Sequence, residues 1–249
     1  MNKKLYYVAI LSLLIILQSC QKETSINREK TCYHTKESVI SDSTVYALTY
    51  HFDELNRLIF VDRPMGRDDS ISYQSDKITI SYTPGGKEWY VVFYLNNEAL
   101  AASCEIYLDG TLNTKRYFTY TPDKYLATMR DSTKSGIADY TLSYTNGNLT
   151  EFEIRYDTIV AVNRLEYYPE DVKFWTYLHT AYFVGNAVYY PWLGKPSKSL
   201  LKSIRFERGT GIDSRYTYEL DEKGYISKRT RILDSFNASS EAFMEHECR

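Results

Sequence analysis

The sequence predicts an all-β fold, a wide antiparallel meander of repeated β-hairpins that forms one open and strongly curved sheet. Tyrosine is the most unusual feature of the composition, with 25 residues among 249. Many of these tyrosines alternate with other residues in short runs, such as "YALTYHF" at 46–52, "ITISY" at 78–82 and "YTYEL" at 216–220. A period of two residues is typical of strands, which also favour aromatic and β-branched side chains.

A hairpin-like pattern recurs along the chain, as "YHFDELNRLIF" at 50–60, "YFTYTPDKYLA" at 117–127 and "YTYELDEKGYI" at 216–226. Each copy has an aromatic residue before a polar turn and an apolar residue after it. Elsewhere, Asp109–Gly110 and Asn146–Gly147 suit two-residue hairpin turns, whose central positions need positive φ. Because one hairpin is only marginally stable in water, we expect neighbouring copies to pair side by side.

The tyrosine content favours an open sheet over the alternative, a β-sandwich. A tyrosine ring covers the face of a sheet while its hydroxyl group stays hydrated, whereas a sandwich core favours valine, isoleucine and leucine. The mean hydropathy of −0.43 agrees with faces that stay partly wet. A membrane-embedded barrel is a weaker alternative, because "DSTKSGIAD" at 131–139 and "RFERGTGIDSRY" at 205–216 lack an apolar residue at every second position.

The N-terminus has the features of a bacterial lipoprotein signal. Lys3 and Lys4 precede an apolar run over 5–17, which is shorter than a transmembrane helix requires. The "LQSC" that follows resembles the bacterial lipobox, whose cysteine is lipidated and becomes the first residue. We therefore expect residues 1–19 to be a signal peptide and Cys20 to carry the acyl chains that anchor the protein to a membrane.

Residues 20–31 are polar and are predicted to form the lipidated cysteine and a flexible tether, followed by a single β-repeat domain at 32–249. Lys22 and Glu23 match part of the export signal of Bacteroidota surface lipoproteins, although Thr24 stands where a second acid is expected. This resemblance implies a lipid-anchored outer-membrane protein displayed at the cell surface. An anchor that faces the periplasm is the alternative.

Two resemblances concern the repeat itself. "YHFDELNRL" is similar to the YD repeat of Rhs-type proteins, with Asn56 in place of the usual glycine and five matching residues: Tyr50, Phe52, Asp53, Arg57 and Leu58. More broadly, the lipobox with irregular repeats over 45–235 resembles an uncharacterised family of Bacteroidota lipoproteins, a domain of unknown function with a porin-like fold. That resemblance implies a porin-like half-barrel and supplies no catalytic residues.

One segment, 170–200, departs from the repeat because it is dense in aromatic residues and contains Pro191 and Pro196. Its spacing fits a short helix over about 170–185, or a pair of strands, lying across the sheet. Four aromatic residues here are candidates for binding a sugar or a protein, and the alternative is that they cover the sheet: Trp175, Tyr189, Tyr190 and Trp192.

Motifs of catalysis are absent from the sequence, which lacks G-x-S-x-G, H-E-x-x-H, a P-loop and an EF-hand loop. "EHEC" at 245–248 collects metal-binding residue types, but we interpret it as a structural or solvated tail. We expect no catalytic residues, no metal, no cofactor and no enzymatic activity. The alternative is a secreted, glycosidase-like hydrolase whose carboxylates come from several distant strands.

Cysteines and short polar motifs add two further expectations. Besides Cys20, an odd number of cysteines remains (Cys32, Cys104 and Cys248), so one internal disulfide can form, with Cys32–Cys248 joining the chain ends, or all three can be buried thiols. Asp-Ser or Asp-Thr triplets resemble the O-glycosylation acceptor of Bacteroidota secreted proteins and give four candidate acceptors: Ser43, Ser70, Ser132 and Thr158.

The charge balance excludes one class of partner. Without residues 1–19, which contain two lysines and no acid, the formal net charge changes from −2 to −4. Because no basic stripe is present to gather phosphates, we expect no nucleic-acid partner. The sequence thus predicts a membrane-anchored, surface-exposed lipoprotein that presents a broad β-sheet to a polysaccharide or a protein.

Overall fold

The computed structural model describes residues 32–248 except 42–43, 65–67, 84–85, 172–190, 210, 235 and 237. The chain divides into two compact units, Met1–Tyr33 with Cys248–Arg249, and His34–Glu247. The second unit contains the sheet. The described residues include no helix that is long and apolar enough to cross a membrane.

Within the described residues, sixteen strands pair antiparallel with their neighbours in sequence, and β1 also pairs with β16 to close the sheet into a barrel. The strands are β1 (Cys32–Ser41), β2 (Thr44–Phe52), β3 (Leu58–Asp62), β4 (Asp69–Tyr73), β5 (Lys77–Tyr82), β6 (Trp89–Leu95), β7 (Ala101–Leu108), β8 (Thr111–Tyr120), β9 (Leu126–Thr133), β10 (Gly136–Thr145), β11 (Asn148–Tyr156), β12 (Ile159–Asp171), β13 (Ser199–Arg208), β14 (Ser214–Leu220), β15 (Ile226–Leu233) and β16 (Ala238–Cys248).

The predicted antiparallel meander is confirmed, but the predicted open half-barrel is wrong, and so is the alternative β-sandwich. The first and last strands pair with each other, and the Thr35 hydroxyl group donates to the Glu245 carbonyl at 3.2 Å. Lys36 Nζ lies 3.0 Å from Glu245 Oε1 at the same place. Closure satisfies the backbone groups that two sheet edges would otherwise expose.

The tyrosines explain why the open sheet was the wrong expectation. We expected their hydroxyl groups to need water, yet several of them point into the barrel and donate to backbone carbonyls. Tyr73 donates to Leu58 at 2.8 Å, and Tyr218 donates to Leu201 at 2.9 Å. A buried tyrosine with such a partner carries no unsatisfied polar group, so a tyrosine-rich strand can face a closed interior.

The barrel interior follows the two-residue period of the strands. On β8, Thr114, Arg116 and Phe118 are buried, whereas the intervening Lys115 and Tyr117 are exposed. Strands β4, β5 and β6 show a similar alternation, and the buried residues of the sheet are mostly apolar. The inner face is therefore the core of the molecule.

A short turn within the aromatic-rich segment packs into one end of the barrel, which we call the cap end. Pro191–Leu193 forms a 3-10 turn in which Trp192 is only 4% exposed. The indole ring packs against Tyr73 and Phe93, with ring centroids 5.9 and 5.7 Å away. Most of the predicted helix over 170–185 lies outside the described residues. Its first two residues, 170 and 171, belong to strand β12.

Four turns at the cap end share one geometry, and three of them belong to the recurring pattern noted in the sequence. The first residue of each turn exchanges backbone hydrogen bonds with the fourth and fifth residues, and its side chain accepts from the N–H group of the fifth. The fourth residue has positive φ in every case. These turns occupy 53–57, 96–100, 121–125 and 221–225, with positive φ at Asn56, Ala99, Lys124 and Gly224.

Candidate functional site

Charged side chains on the inner face form a group that we call the inner polar layer. They come from strands β1, β4, β8, β9 and β15 and from the residue that follows β3. Their register places each one among buried residues rather than on the outer face. The layer consists of Glu37, Arg63, Asp69, Arg116, Asp131, Arg229 and Arg231.

One ion pair of this layer, in which both residues are buried, joins Arg116 on β8 to Asp131 on β9. Arg116 Nε lies 2.5 Å from Asp131 Oδ1, and Nη2 lies 2.7 Å from Oδ2. The side chains are each 11% exposed. Tyr140 adds a donor to the same carboxylate at 3.4 Å. The guanidinium group and the carboxylate thus form two parallel hydrogen bonds, which offset the free-energy cost of burying both charges.

Two further arginines of the layer also bind carboxylates. Arg63 donates from Nε and Nη2 to Asp69 Oδ2 at 3.0 and 2.7 Å. Burial raises the pKa of Asp69 even though the Arg63 guanidinium opposes that shift. Arg229 Nη2 lies 2.9 Å from Glu37 Oε1, and the Tyr50 hydroxyl group donates to Glu37 Oε2 at 3.3 Å. These carboxylates are therefore held by cations rather than left as a free acid–base pair.

Arg231 differs from the other arginines of the layer. It lies on β15 opposite the buried Tyr216 of β14, and its guanidinium carbon is 5.9 Å from the centroid of that ring. Nη2 and Nε donate to Ser214 Oγ at 3.2 and 3.4 Å. Among the described residues, no carboxylate lies within 4.0 Å of the Arg231 nitrogens.

The outer face of β6, β7 and β8 carries a second cluster, which we call the outer tyrosine patch. It consists of Tyr90, Tyr94, Tyr107 and Tyr117, grouped around Glu105 and Lys115. Tyr90 and Tyr107 stack, with centroids 4.5 Å apart and ring planes 12° apart. Tyr94 is 39% exposed and Tyr117 is 50% exposed. Aromatic rings with this exposure are available for contact with a ligand.

Glu105 holds the outer tyrosine patch together. Its Oε2 accepts from the hydroxyl groups of Tyr107 at 2.6 Å and Tyr94 at 3.0 Å, and its Oε1 lies 2.9 Å from Lys115 Nζ. The Tyr107 hydrogen bond, then that of Lys115, lowers the pKa of Glu105 to about 2. The carboxylate is thus ionised across the physiological range and fixes two of the rings in place.

Of the four predicted binding residues, the structure describes one, Trp192. Trp175, Tyr189 and Tyr190 lie outside the described residues. Trp192 is buried at the cap end, and its carbonyl accepts from the Tyr120 hydroxyl group at 3.2 Å. Its ring is not at a surface, which agrees with the covering role that we gave as the alternative for at least one of these aromatic residues.

Three of the predicted acceptors for O-glycosylation are described, and Ser70, Ser132 and Thr158 are all exposed. Ser43 lies outside the described residues. The aspartates that precede Ser70 and Ser132 are Asp69 and Asp131, which the inner polar layer buries in ion pairs. An enzyme that reads the folded chain would therefore reach the serine but not the aspartate of these two triplets.

The residues of "EHEC" are separated by the pleat of β16. Glu245 faces Lys36, whereas His246 Nε2 lies 2.9 Å from the Ile226 carbonyl oxygen. In the part of the chain that is described, no three His, Cys, Asp or Glu side chains are arranged to hold a metal ion. Cys20, the predicted lipidation site, lies outside that part.

The cysteines have different states. Cys104 is a free thiol that is 1% exposed, and burial raises its pKa to about 12. Cys248 is disulfide-bonded. Pairings that include Cys104 are therefore excluded, and the expectation of three free buried thiols is wrong.

Sequence reasoning missed both the inner polar layer and the outer tyrosine patch, although a signal for each is present. Arg116 occupies the inward phase of β8, between Thr114 and Phe118, where an apolar residue is normal. On β6 the tyrosines of the patch, Tyr90 and Tyr94, occupy the opposite phase from the buried Phe93. Separating the two phases of each strand would have marked Arg116 as an inward charge and Tyr90 and Tyr94 as outward aromatic residues.

Comparisons with known proteins agree with the barrel. A porin-like protein from Bacteroides uniformis ATCC 8492 matches with a TM-score of 0.66 and 17% identity, over 88% of this chain and 99% of that one. A porin-like protein from Bacteroides vulgatus ATCC 8482 matches with a TM-score of 0.63 and 14% identity, over 86% and 98%. At such identities the likeness concerns the fold alone.

No curated protein matches the chain. The family model described as a domain of unknown function (DUF4595) with porin-like fold matches residues 52–228, which is more than half of the sequence. This range runs from the end of β2 into β15 and so includes most of the closed barrel. The chain therefore belongs to the DUF4595 family with porin-like fold.

Proposed function

We propose that the protein is a lipid-anchored protein of the outer membrane, displayed at the cell surface, and that its barrel binds a polysaccharide through the outer tyrosine patch. The observation that carries this proposal is the row of partly exposed tyrosines around Glu105, whose carboxylate holds Tyr94 and Tyr107. Aromatic rings offer a large contact area at a low cost in side-chain entropy. Rings that are already held in place lose little further freedom on binding.

The spacing of the patch suits a sugar chain. Tyr94 and Tyr117 both align with Ser103, one from each side, so the smallest side chain of the row lies between two rings. With strands about 4.8 Å apart, those two tyrosines are separated by roughly 10 Å. Sugar rings can stack on the tyrosines, while Glu105 and Lys115 offer an acceptor and a donor to sugar hydroxyl groups.

The anchor is proposed to be the lipid on Cys20 rather than the strands. The outer face carries charged side chains where a lipid-facing strand needs apolar ones: Arg130 and Asp139 form an exposed ion pair on β9 and β10, and Arg164 contacts both Glu151 and Glu207. More than one acyl chain is enough for stable anchoring without a membrane-spanning segment.

Fractionation of cells tests the anchor. We expect the full chain to sit in the outer-membrane fraction, to be labelled by a fatty-acid probe and to be accessible to protease on intact cells. Cys20→Ala should remove the label and leave an unprocessed or soluble form. Membrane association that persists in Cys20→Ala, with no label on the parent protein, would contradict the lipoprotein proposal.

Binding of the full chain to a glycan array, followed by titration of any hit, tests the patch. We expect Tyr94→Ala and Tyr117→Ala each to weaken binding by about tenfold, the loss of one well-placed aromatic contact. The matched control is Tyr156→Ala, which removes a tyrosine that is 38% exposed but lies outside the patch. Equal losses in all three variants, or capture of a protein partner with no glycan bound, would refute the polysaccharide proposal.

We further propose that the protein binds the polysaccharide without catalysing a reaction on it. In its support, the described buried carboxylates Glu37, Asp69 and Asp131 are each held by an arginine. The alternative of a glycosidase-like hydrolase has one observation in its favour, the pKa of Asp69, which burial raises toward the range of a general acid. Turnover of a bound glycan that disappears in Asp69→Asn would favour that alternative.

A further inference from the structure

The inner polar layer carries an excess of positive charge. Among its described members, Arg63, Arg116 and Arg229 are matched by Asp69, Asp131 and Glu37. The remaining member, Arg231, has a hydroxyl group and an aromatic ring as its neighbours, and no carboxylate of the described residues is paired with it.

The bonds that Arg231 makes are weak ones. Both run to Ser214 Oγ at 3.2 and 3.4 Å, which is long for a charged donor, and Ser214 itself donates to the Ile212 carbonyl at 3.3 Å. Ser214 is fully buried and Arg231 is half-buried. A guanidinium group has five N–H donors, and in the described part of the chain only Nε and Nη2 of Arg231 donate to a partner, so the other donors can bind an acceptor that enters from solvent.

The neighbouring strands complete a place for an anion. Ser240 on β16 stands directly opposite Arg231 in the pairing of β15 with β16, and Tyr216 stands opposite on β14. The Ser240 hydroxyl group lies on the same face as Arg231 and can donate to a further oxygen of a ligand. The site thus has a planar cationic fork, a hydroxyl donor and an aromatic wall, which is the chemistry that suits a carboxylate, sulfate or phosphate group.

We propose that Arg231 and Ser240, with Ser214 and Tyr216 behind them, form an oxyanion-binding site on the inner face of the barrel. The ligand is either a free inorganic oxyanion or the acidic group of a sugar acid, which share the same recognition chemistry. This site is separate from the outer tyrosine patch. The oxyanion proposal therefore does not depend on the polysaccharide proposal, and a failure of one leaves the other untouched.

Titration of the full chain with sulfate, phosphate and glucuronate, at constant ionic strength set with chloride, tests the site. Calorimetry and thermal unfolding should show saturable binding of at least one of the three anions. Arg231→Gln should weaken that binding by about tenfold or more, the effect of losing a charged hydrogen-bonding fork. Arg215→Gln is the matched control, because Arg215 lies on the outer face and pairs with Asp234 at 2.7 Å.

The three anions distinguish the two sources of the ligand. Saturation by sulfate or phosphate supports a free inorganic ion, whereas saturation by glucuronate alone supports a sugar acid. If Arg231→Gln does not fold, Arg231→Lys and Ser240→Ala provide the comparison, since each keeps the charge of the layer and removes part of the site. Absence of saturable binding by all three anions, or equal binding by the parent protein and the Arg231 variant, would overturn the proposal.

Discussion

Arg116 and Asp131 show how a single pair of residues can place charge inside an otherwise apolar barrel. Their neighbours on the inner face include the buried Phe118, Met129 and Cys104. The pair is acceptable there because each charge is bound through two contacts. Removing one partner leaves the other charge buried and uncompensated. The contribution of the pair can therefore be measured as the loss of stability when one of the two residues is replaced.

We predict that Arg116→Met lowers the free energy of unfolding by about 3–5 kcal/mol, because it leaves the Asp131 carboxylate buried without its partner. Arg130→Met is the matched control, since Arg130 pairs with Asp139 on the outer face of the adjacent strands. That variant should change the free energy by less than about 1 kcal/mol. Chemical denaturation measures both, and equal effects would contradict the assignment of the two faces.

His34 makes stability depend on pH. It is 3% exposed, and burial, aided by the nearby His246 and Arg229, lowers its pKa to about 3, although a hydrogen bond to the Lys36 carbonyl opposes the shift. The unfolded chain binds a proton at this residue below pH 6.5, whereas the folded chain does not until about pH 3. Stability from neutral His34 is therefore complete above pH 6.5 and is lost as the pH falls toward 3.

We predict that His34→Leu flattens this dependence. Between pH 6.5 and 4, the parent protein should lose up to about 1.4 kcal/mol more per pH unit than the variant, measured by denaturation at a series of pH values. His51→Leu, which replaces a histidine at an exposed position of β2, serves as the matched control. Parallel curves for the parent protein and His34→Leu would show that His34 does not titrate differently on folding.

At the scale of the element, the hairpins were the predictable part of the structure. Asp109–Gly110 and Asn146–Gly147 form the expected turns with positive φ at both residues. The turn at 96–100 shows the limit of such reasoning, because Ala99 has φ of 59°, which its residue type does not signal. The neighbouring Asn96 side chain, which accepts from the N–H groups of Glu98 and Leu100, imposes that conformation.

We predict that Ala99→Gly raises the free energy of unfolding by about 0.5–1 kcal/mol, because glycine adopts positive φ without the cost that a β-carbon brings. Ala102→Gly, three residues later at an exposed position of β7, should have the opposite sign and lower it by about 0.5–1 kcal/mol. Thermal or chemical denaturation of the two variants gives the comparison. If Ala99→Gly destabilises the protein as Ala102→Gly does, the positive φ of Ala99 carries no strain that glycine relieves.

At the scale of the whole molecule, closure is the property that the sequence did not predict. Local turn residues signal the pairing of β2 with β3 or of β8 with β9, but no turn connects β1 to β16. The phase of the strands was readable and places Arg116 and Asp69 among the inward residues. Their ion pairs were not readable, because a pair also depends on the register between neighbouring strands. The outer tyrosine patch likewise depends on three strands lying side by side.

We predict that closure protects the first and last strands from hydrogen exchange. Backbone amides over 34–41 and 238–247 should exchange as slowly as those of interior strands such as β6 and β7, because both sides of β1 and β16 are paired. Exchange followed by mass spectrometry on the full chain measures this. Fast exchange confined to β1 and β16 would instead indicate an open sheet with two free edges.

The contact between β1 and β16 also fixes an order of events in time. Within the described strands, every other pairing joins sequence neighbours, whereas the Thr35–Glu245 bond joins residues 210 positions apart. Local hairpins can form early at small entropic cost, but this closing pair must wait for the last strand. A chain that emerges N-terminus first, from a ribosome or a translocation pore, therefore carries an unpaired β1 edge until residues 238–247 arrive. Any chaperone that protects the nascent protein from aggregation has to cover that strand.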